Sequence, residues 1–237
     1  MDMDDLRVHD AAPDRAETTQ NPVFEGVERA IHEQRLPPGT RLAEAELTEI
    51  YGVSRTIVRA GLQALAHAHL VTIRPNRGAR VAQPTPEDAR EVFEARELIE
   101  PRTAFEAARK ATAADIAHLR RHSAEEQDAL AARQHGRALR LGGAFHVEIA
   151  RISGQRTLEG FVDELVARSA LIISLYWARE RVRCDTQCHS RLIDAISRHD
   201  ADEAESLMRS HLLDIHSALD FGDDSADDTD LRGMLLG

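Results

Sequence analysis

Apolar residues recur with a helical period as soon as the chain leaves its first twenty residues. Val23, Phe24, Val27, Ala30 and Ile31 mark one stripe between Pro22 and Gln34, which predicts a helix with a single buried side. Leu36-Pro37-Pro38-Gly39 ends that helix in a turn. A second, shorter helix fits Ala43–Tyr51 with Leu47 and Ile50 facing inward, closed by Gly52, a residue that adopts left-handed geometry cheaply. Ser54 is then placed to cap a third helix from Arg55 to His67, whose apolar side is Val58, Leu62 and Leu65. Gly61 falls inside that helix and reads as a mild liability of about 1 kcal/mol against alanine. Leu70-Val71-Thr72-Ile73 is β-prone, Arg74 to Gly78 reads as a turn, and Ala79-Arg80-Val81 as a second strand. The order of helix, helix–turn–helix and hairpin predicts a winged helix-turn-helix over residues 21–82.

The pattern changes after Gln83-Pro84-Thr85-Pro86, where two prolines separated by one residue suit an extended linker over residues 83–86. Beyond it the periodicity is helical throughout. Helices are predicted over about 86–109, 113–131, 134–152, 156–177, 179–198 and 201–219, with Thr112 and Asp200 as caps. Pro101 lies inside the first and is expected to kink or divide it. Alanine-rich and leucine-rich stripes predict an all-helical bundle over residues 87–219. The predicted fold class is mainly α: an N-terminal winged helix-turn-helix followed by an all-α helical-bundle domain. Leu171–Trp177 is apolar on nearly every side and belongs either in the core or at a subunit interface. Residues 1–20 read as a disordered acidic arm, and residues 220–237 as an acidic flexible tail.

Whole-chain charge argues against a nucleic-acid partner, and regional charge reverses that argument. The net charge is -11. Residues 21–82 nevertheless carry eight arginines against six acids, while the segments around them are all net negative. Arg55, Arg59, Arg74, Arg77 and Arg80 fall in a stretch without a single acid. Affinity for DNA depends on the local field at the phosphates, so this compact basic segment counts for more than the sum. The alternative is a surface that merely carries arginine in a chain with one lysine. The two cysteines, Cys184 and Cys188, exclude a disulfide scaffold and suit a reducing cytoplasm. No run of about 20 apolar residues predicts a membrane span, and the acidic N-terminus is unlike a signal peptide.

A recognition helix presents its first residues to the base edges of the major groove. Here these are Ser54, Arg55 and Thr56, with Arg59 one turn later on the face of Arg55. Arginine suits guanine O6/N7, and the hydroxyls suit phosphates or bases. Arg77, Gly78 and Arg80 lie at the hairpin, where glycine lets the tip approach the sugar–phosphate edge. The segment LPPGTRLAEAELTEIYGVSRTIVRAGLQALAHAHLVTIRPNRGARV resembles the DNA-binding domain of the GntR family of bacterial transcription regulators. The remainder is similar to the FCD effector domain of the family's FadR branch. The resemblance implies operator contacts from Ser54, Arg55, Thr56 and Arg59, and a wing glycine at Gly78. Many relatives carry an arginine where this chain has Ala45; either that contact is lost or Arg41 substitutes from the preceding turn.

Histidine is the residue to follow for metal binding. His118, His122 and His135 fall on faces expected to be solvated. His146, His189 and His211 sit beside apolar positions on three separate predicted helices. A bundle can point three such imidazoles at one centre for a divalent transition metal such as Zn, Ni, Mn or Fe; hydrogen-bonded core histidines are the alternative. The resemblance implies a site of one Asp and these three histidines. The Asp is expected one turn before His146, where this chain has Gly142. Three outcomes stay open: a metal held by three histidines, Asp185 replacing the carboxylate from the helix of His189, or a pocket without metal. Arg96 is implied as the anchor of an effector carboxylate, against a surface i,i+4 pair with Glu100. Cys184 and Cys188 read as idle thiols.

These residues together predict a ligand-responsive regulator, not an enzyme. It would bind a palindromic double-stranded DNA operator as a homodimer, with a small organic acid as effector, repression as the mode, and no membrane partner. The rivals are a metal-dependent enzyme and a constitutive DNA-binding protein with a degenerate effector site. No HExxH, nucleophile triad or phosphate loop supports the enzyme.

Overall fold

The computed structural model describes residues 21–75, 77–177 and 188–221. Helix α1 (Pro22–His32) starts at Asn21, whose Oδ1 accepts from the backbone N–H of Val23 and Phe24. Its Nδ2 donates to the carbonyl of Ile57 at 3.0 Å, tying α1 to a later helix. Val23, Val27, Ala30 and Ile31 form the buried stripe. There follow β1 (Arg41–Leu42), α2 (Glu44–Tyr51), α3 (Arg55–His67), β2 (Val71–Arg74) and β3 (Gly78–Val81). The strands pair antiparallel in the order β1-β3-β2. Strand β1 escaped the sequence reading because two residues carry no alternation; Leu42 is recruited by pairing with Ala79.

Two further expectations for this part are corrected. Ile50 is 71% exposed, while Leu47 is buried and Tyr51, four residues later, packs against the core. An eight-residue helix has room for one inward row, and Tyr51 completes it. Gly61 is not a liability. A Cβ there would stand 2.7 Å from Asn21 Oδ1 and 3.0 Å from Val23 Cβ, so glycine is what lets α3 lie close to the start of α1. The expected left-handed closure at Gly52 is present, with φ 64°.

The bundle comprises α4 (Pro86–Lys110), α5 (Ala113–Ala131), α6 (His135–Ile152), α7 (Arg156–Tyr176), α8 (Cys188–Ser197) and α9 (Ala201–Ser217). Thr85 with Asp88, and Thr112 with Asp115, form capping boxes at α4 and α5. Asp200 caps α9 as expected. Helix α4 runs unbroken through Pro101, which is buried. The predicted helix 179–198 is seen from Cys188; its first part, with Cys184 and Asp185, lies outside the described residues. Ala104, Ala107 and Ala108 on α4, with Ala111 at its C-terminal cap, bring the backbones close around Phe145, Ile149, Ile193, Ile196, Met208 and Leu212. On α7, Ala167 and Leu171 join the core of the winged part, and Ile172 joins Phe93 and Ile215 in the bundle. The same helix therefore fastens both parts. A second junction lies at Gly136, where a Cβ would strike the backbone of Glu33. Nearby, Arg140 Nε donates to Glu33 Oε1 at 3.3 Å.

Candidate functional site

Each of the three histidines is carried inward by an apolar stripe of its helix. His146 precedes Ile149 and Ala150 on α6, His189 precedes Leu192 and Ile193 on α8, and His211 follows Met208 and precedes Ile215 on α9. Their exposures are 3%, 8% and 5%. His211 Nε2 lies 3.3 Å from both His189 Nε2 and His146 Nε2. One ligand atom from each of the three lies within 4.8 Å of the others. Nitrogens around an ion with metal–nitrogen bonds of about 2.0–2.1 Å sit roughly 2.9–3.4 Å apart, so the two 3.3 Å spacings at His211 fit a divalent transition metal.

The other ring nitrogens explain why the Nε2 atoms converge as acceptors. His146 Nδ1 donates to Glu100 Oε2 at 2.6 Å, and His189 Nδ1 donates to Glu126 Oε2 at 2.7 Å. A carboxylate on Nδ1 leaves the lone pair on Nε2, the form that binds metal. His211 Nδ1 is buried without a protein partner, so the state of that ring is decided at Nε2. Burial, with neighbouring cations adding to it, pushes the His146 and His211 imidazoles below their ordinary range. For His146 that effect prevails over the pull of Glu100. Burial thereby favours the neutral form of both rings.

Glu100 is fully buried and is the hub of this network. Arg96, 3% exposed, donates from Nε to Glu100 Oε1 at 2.5 Å and from Nη1 to Ser169 Oγ at 3.1 Å. Burial alone would raise the Glu100 carboxyl; Arg96 and His146 overcome it and hold it at about 2. The i,i+4 pair of Arg96 and Glu100 thus exists, but in the interior and not on the surface. Arg96, the three histidines and Gly142 line one cavity of about 1590 Å³. That exceeds the roughly 300–1,000 Å³ of a usual small-molecule pocket. The reason is its length: it reaches Glu25, Glu28, Arg29 and His32 on α1 of the winged part.

All eight residues expected to meet DNA are exposed: Arg41, Ser54, Arg55, Thr56, Arg59, Arg77, Gly78 and Arg80. Ser54 Oγ accepts from Ile57 N, so it caps α3 as well as standing at its tip. Arg41 faces Arg80 across β1 and β3, and Thr72 faces Arg80 across β2, giving one outward polar row. Arg59 Nε donates to Glu44 Oε2 at 2.9 Å; both side chains are well exposed, a pairing that phosphate can readily replace. Gly78 has φ 73°, as the turn into β3 requires.

Residues 19–81 match the gntR family of bacterial regulatory proteins, and residues 91–214, more than half of the chain, match the FCD domain. The chain belongs to the gntR family of FCD-domain regulators. It is 26% identical over 211 residues to the HTH-type transcriptional regulator LutR of Bacillus subtilis, covering 80% of this chain and 95% of that one. It is 28% identical over 239 residues to the putative L-lactate dehydrogenase operon regulatory protein of Escherichia coli, covering 86% and 88%. In fold it is similar to a putative GntR transcriptional regulator from Rhodococcus sp. RHA1, with a TM-score of 0.74, 22% identity, and 85% and 96% of the two chains covered. These relatives are regulators of transcription rather than enzymes, and this gntR-family chain is of the same general type, a ligand-responsive DNA-binding regulator. No helix among its described residues is long and apolar enough to cross a membrane.

In this gntR-family chain the sequence reading missed Glu126, and it considered Glu100 only as half of an alternative surface pair with Arg96. Glu100 had a signal, since it lies on the buried stripe of Phe93, Arg96, Thr103 and Ala107. Glu126 had none: its helix is polar over most of its length, and only packing brings it to His189. His122, expected in solvent, is half-buried and bonds the Leu141 carbonyl from Nε2 at 2.8 Å. No carboxylate joins the three histidines at ligand distance among the described residues, nor does Cys188.

The α1 wall of the cavity makes a prediction of its own. Burial, then Asp163 on α7 and Glu25 on α1, raise the Glu28 carboxyl to about 7. The folded chain therefore holds this proton more tightly than the unfolded one, and its stability falls as pH rises from about 4.5 to about 7. Glu28→Gln removes that loss. Denaturant unfolding should find the variant more stable by on the order of 2 kcal/mol at pH 8, with the gap narrowing steadily toward pH 5. An equal gap at both pH values would contradict the assignment.

Proposed function

We propose that the chain is a repressor of the FadR branch that binds a palindromic operator as a homodimer and is released by a small organic acid at a three-histidine metal centre. The observation that carries this reading is the cavity that joins the converging imidazoles and Arg96 to α1 of the winged part. A dication there would supply Lewis acidity for anchoring a carboxylate. The chain's own residues do the rest: His146, His189 and His211 hold the ion, and Arg96 orients the anion. Glu25 on the opposite wall repels negative charge, so an anionic occupant presses against α1. A shift of α1 is passed to the recognition helix α3 through Asn21 and its bond to Ile57. In a dimer, two such helices must sit about one turn of DNA apart, so a small shift in each costs operator affinity. The eight exposed residues named above are assigned to the operator, with Arg55 at the base edges and Arg77 at the backbone.

The test is operator affinity of the metal-loaded full chain, by fluorescence anisotropy on duplexes selected for binding. L-lactate and other small hydroxy acids are added; the name of the E. coli relative makes lactate a reasonable first choice. The expected result is at least tenfold weaker binding with one of them, only when metal is present. Arg55→Ala should weaken the effector-free complex by about 1–3 kcal/mol and relax the sequence preference at one position. Tight binding that no acid alters, in protein that takes up no metal, would favour the constitutive rival.

A further inference from the structure

We propose that Glu126 is the positioning carboxylate of the histidine centre and that it occupies room opened by Gly142 on a different helix. The proposal rests on the reading of His146, His189 and His211 as a metal centre. Glu126 comes from α5 and Gly142 from α6, one turn before His146. Glu126 Oε2 accepts the Nδ1–H of His189 at 2.7 Å. Its other oxygen stands 2.9 Å from where a Cβ on residue 142 would lie, and that same Cβ would be 4.0 Å from His189 Cε1. A side chain at 142 and the Glu126 carboxylate therefore compete for one volume beside His189. Glycine inside a helix costs about 1 kcal/mol against alanine, and the room it leaves here is filled by a charged hydrogen-bond acceptor.

That acceptor does for His189 what Glu100 does for His146. Both rings are oriented by a carboxylate on Nδ1 and left with Nε2 free to coordinate. The two carboxylates balance the charge of a dication from outside its coordination sphere. The three Nε2 atoms would hold the ion at the wall of the cavity. Glu100 is locked by Arg96, whereas the Glu126 side chain is 13% exposed and forms part of the cavity wall.

The experiment measures Zn²⁺ affinity by competition with a chelating dye, on the full chain and on Glu126→Ala, Glu126→Gln and Glu126→Ala/Gly142→Asp. His189 tautomers are read from ring ¹⁵N shifts in the metal-free proteins. Glu126→Ala should bind Zn²⁺ about 10–100-fold more weakly. Its His189 should also lose the pure Nδ1–H form. Glu126→Gln keeps an acceptor oxygen and should fall between. Adding Gly142→Asp to Glu126→Ala returns a carboxylate to the same volume and should recover most of the lost affinity. Unchanged Zn²⁺ affinity and an unchanged His189 tautomer in Glu126→Ala would overturn the proposal, as would a double variant no better than Glu126→Ala. If the unaltered chain binds no Zn²⁺ while the tautomer still follows Glu126, the positioning role stands and the metal reading fails.

Discussion

Replacing His211 with alanine is expected to take the metal content of the chain from near one ion to near none. His211 is the middle member of the centre, since its Nε2 is the atom 3.3 Å from each of the other two. Without it, His146 and His189 are left as a pair that cannot enclose one face of an ion. The loss should exceed the 10–100-fold typical of an outer-shell partner, so at least about 100-fold in affinity. Elemental mass spectrometry of protein purified without chelators, followed by dye competition, reads it directly. His135→Ala is the control, because His135 lines the same cavity but is exposed and outside the cluster. The response of operator binding to an organic acid should vanish with the metal, while binding without effector stays intact. Full metal content in His211→Ala would remove the centre from further consideration.

Arg96→Ala should have the largest effect on stability. Glu100 has no exposed surface, and among the described residues Arg96 is the only full positive charge bonded to it. Removing one partner of a buried ion pair strands the other, at a cost of about 3–5 kcal/mol. For a chain of this size that corresponds to a fall of roughly 10 °C in thermal midpoint. The buried carboxyl, now held near 2, should rise as its main stabilising neighbour is lost. Changing both residues, as Arg96→Met with Glu100→Gln, leaves no stranded charge and should regain most of the midpoint. It should not regain the response to organic acids, because Arg96 is also assigned to the anion. A single variant that unfolds within about 1 kcal/mol of the parent would show that the pair is not the linchpin the geometry makes it.

Much of the architecture was legible in the order of residues because it depends on short-range rules. The stripe of Val23, Val27 and Ile31, the closure at Gly52 and the caps at Ser54, Thr112 and Asp200 are each decided within one turn of chain. So are the exposed arginines of α3 and the hairpin, whose polarity and position follow from helix and strand period. The three histidines were legible for the same reason: each sits on an apolar stripe where an imidazole has to be buried. Errors arose where contact is long-range. Strand β1 exists only because β3 lies beside it, and Ile50 is exposed because Tyr51 takes its place.

The sequence by itself determined the fold class, the regional charge and which histidines go inside, since periodicity, capping and composition act locally. Only the tertiary structure decided what those histidines meet. Glu100 became a buried hub and not half of a surface pair because α6, α7 and α9 enclose it. Glu126 reached His189 across 63 residues because two helices packed side by side and glycine left the space. The cavity gained its α1 wall only when Ala167 and Leu171 fastened the winged part to the bundle. Such contacts between distant residues have no period, and therefore leave no signature along a single chain.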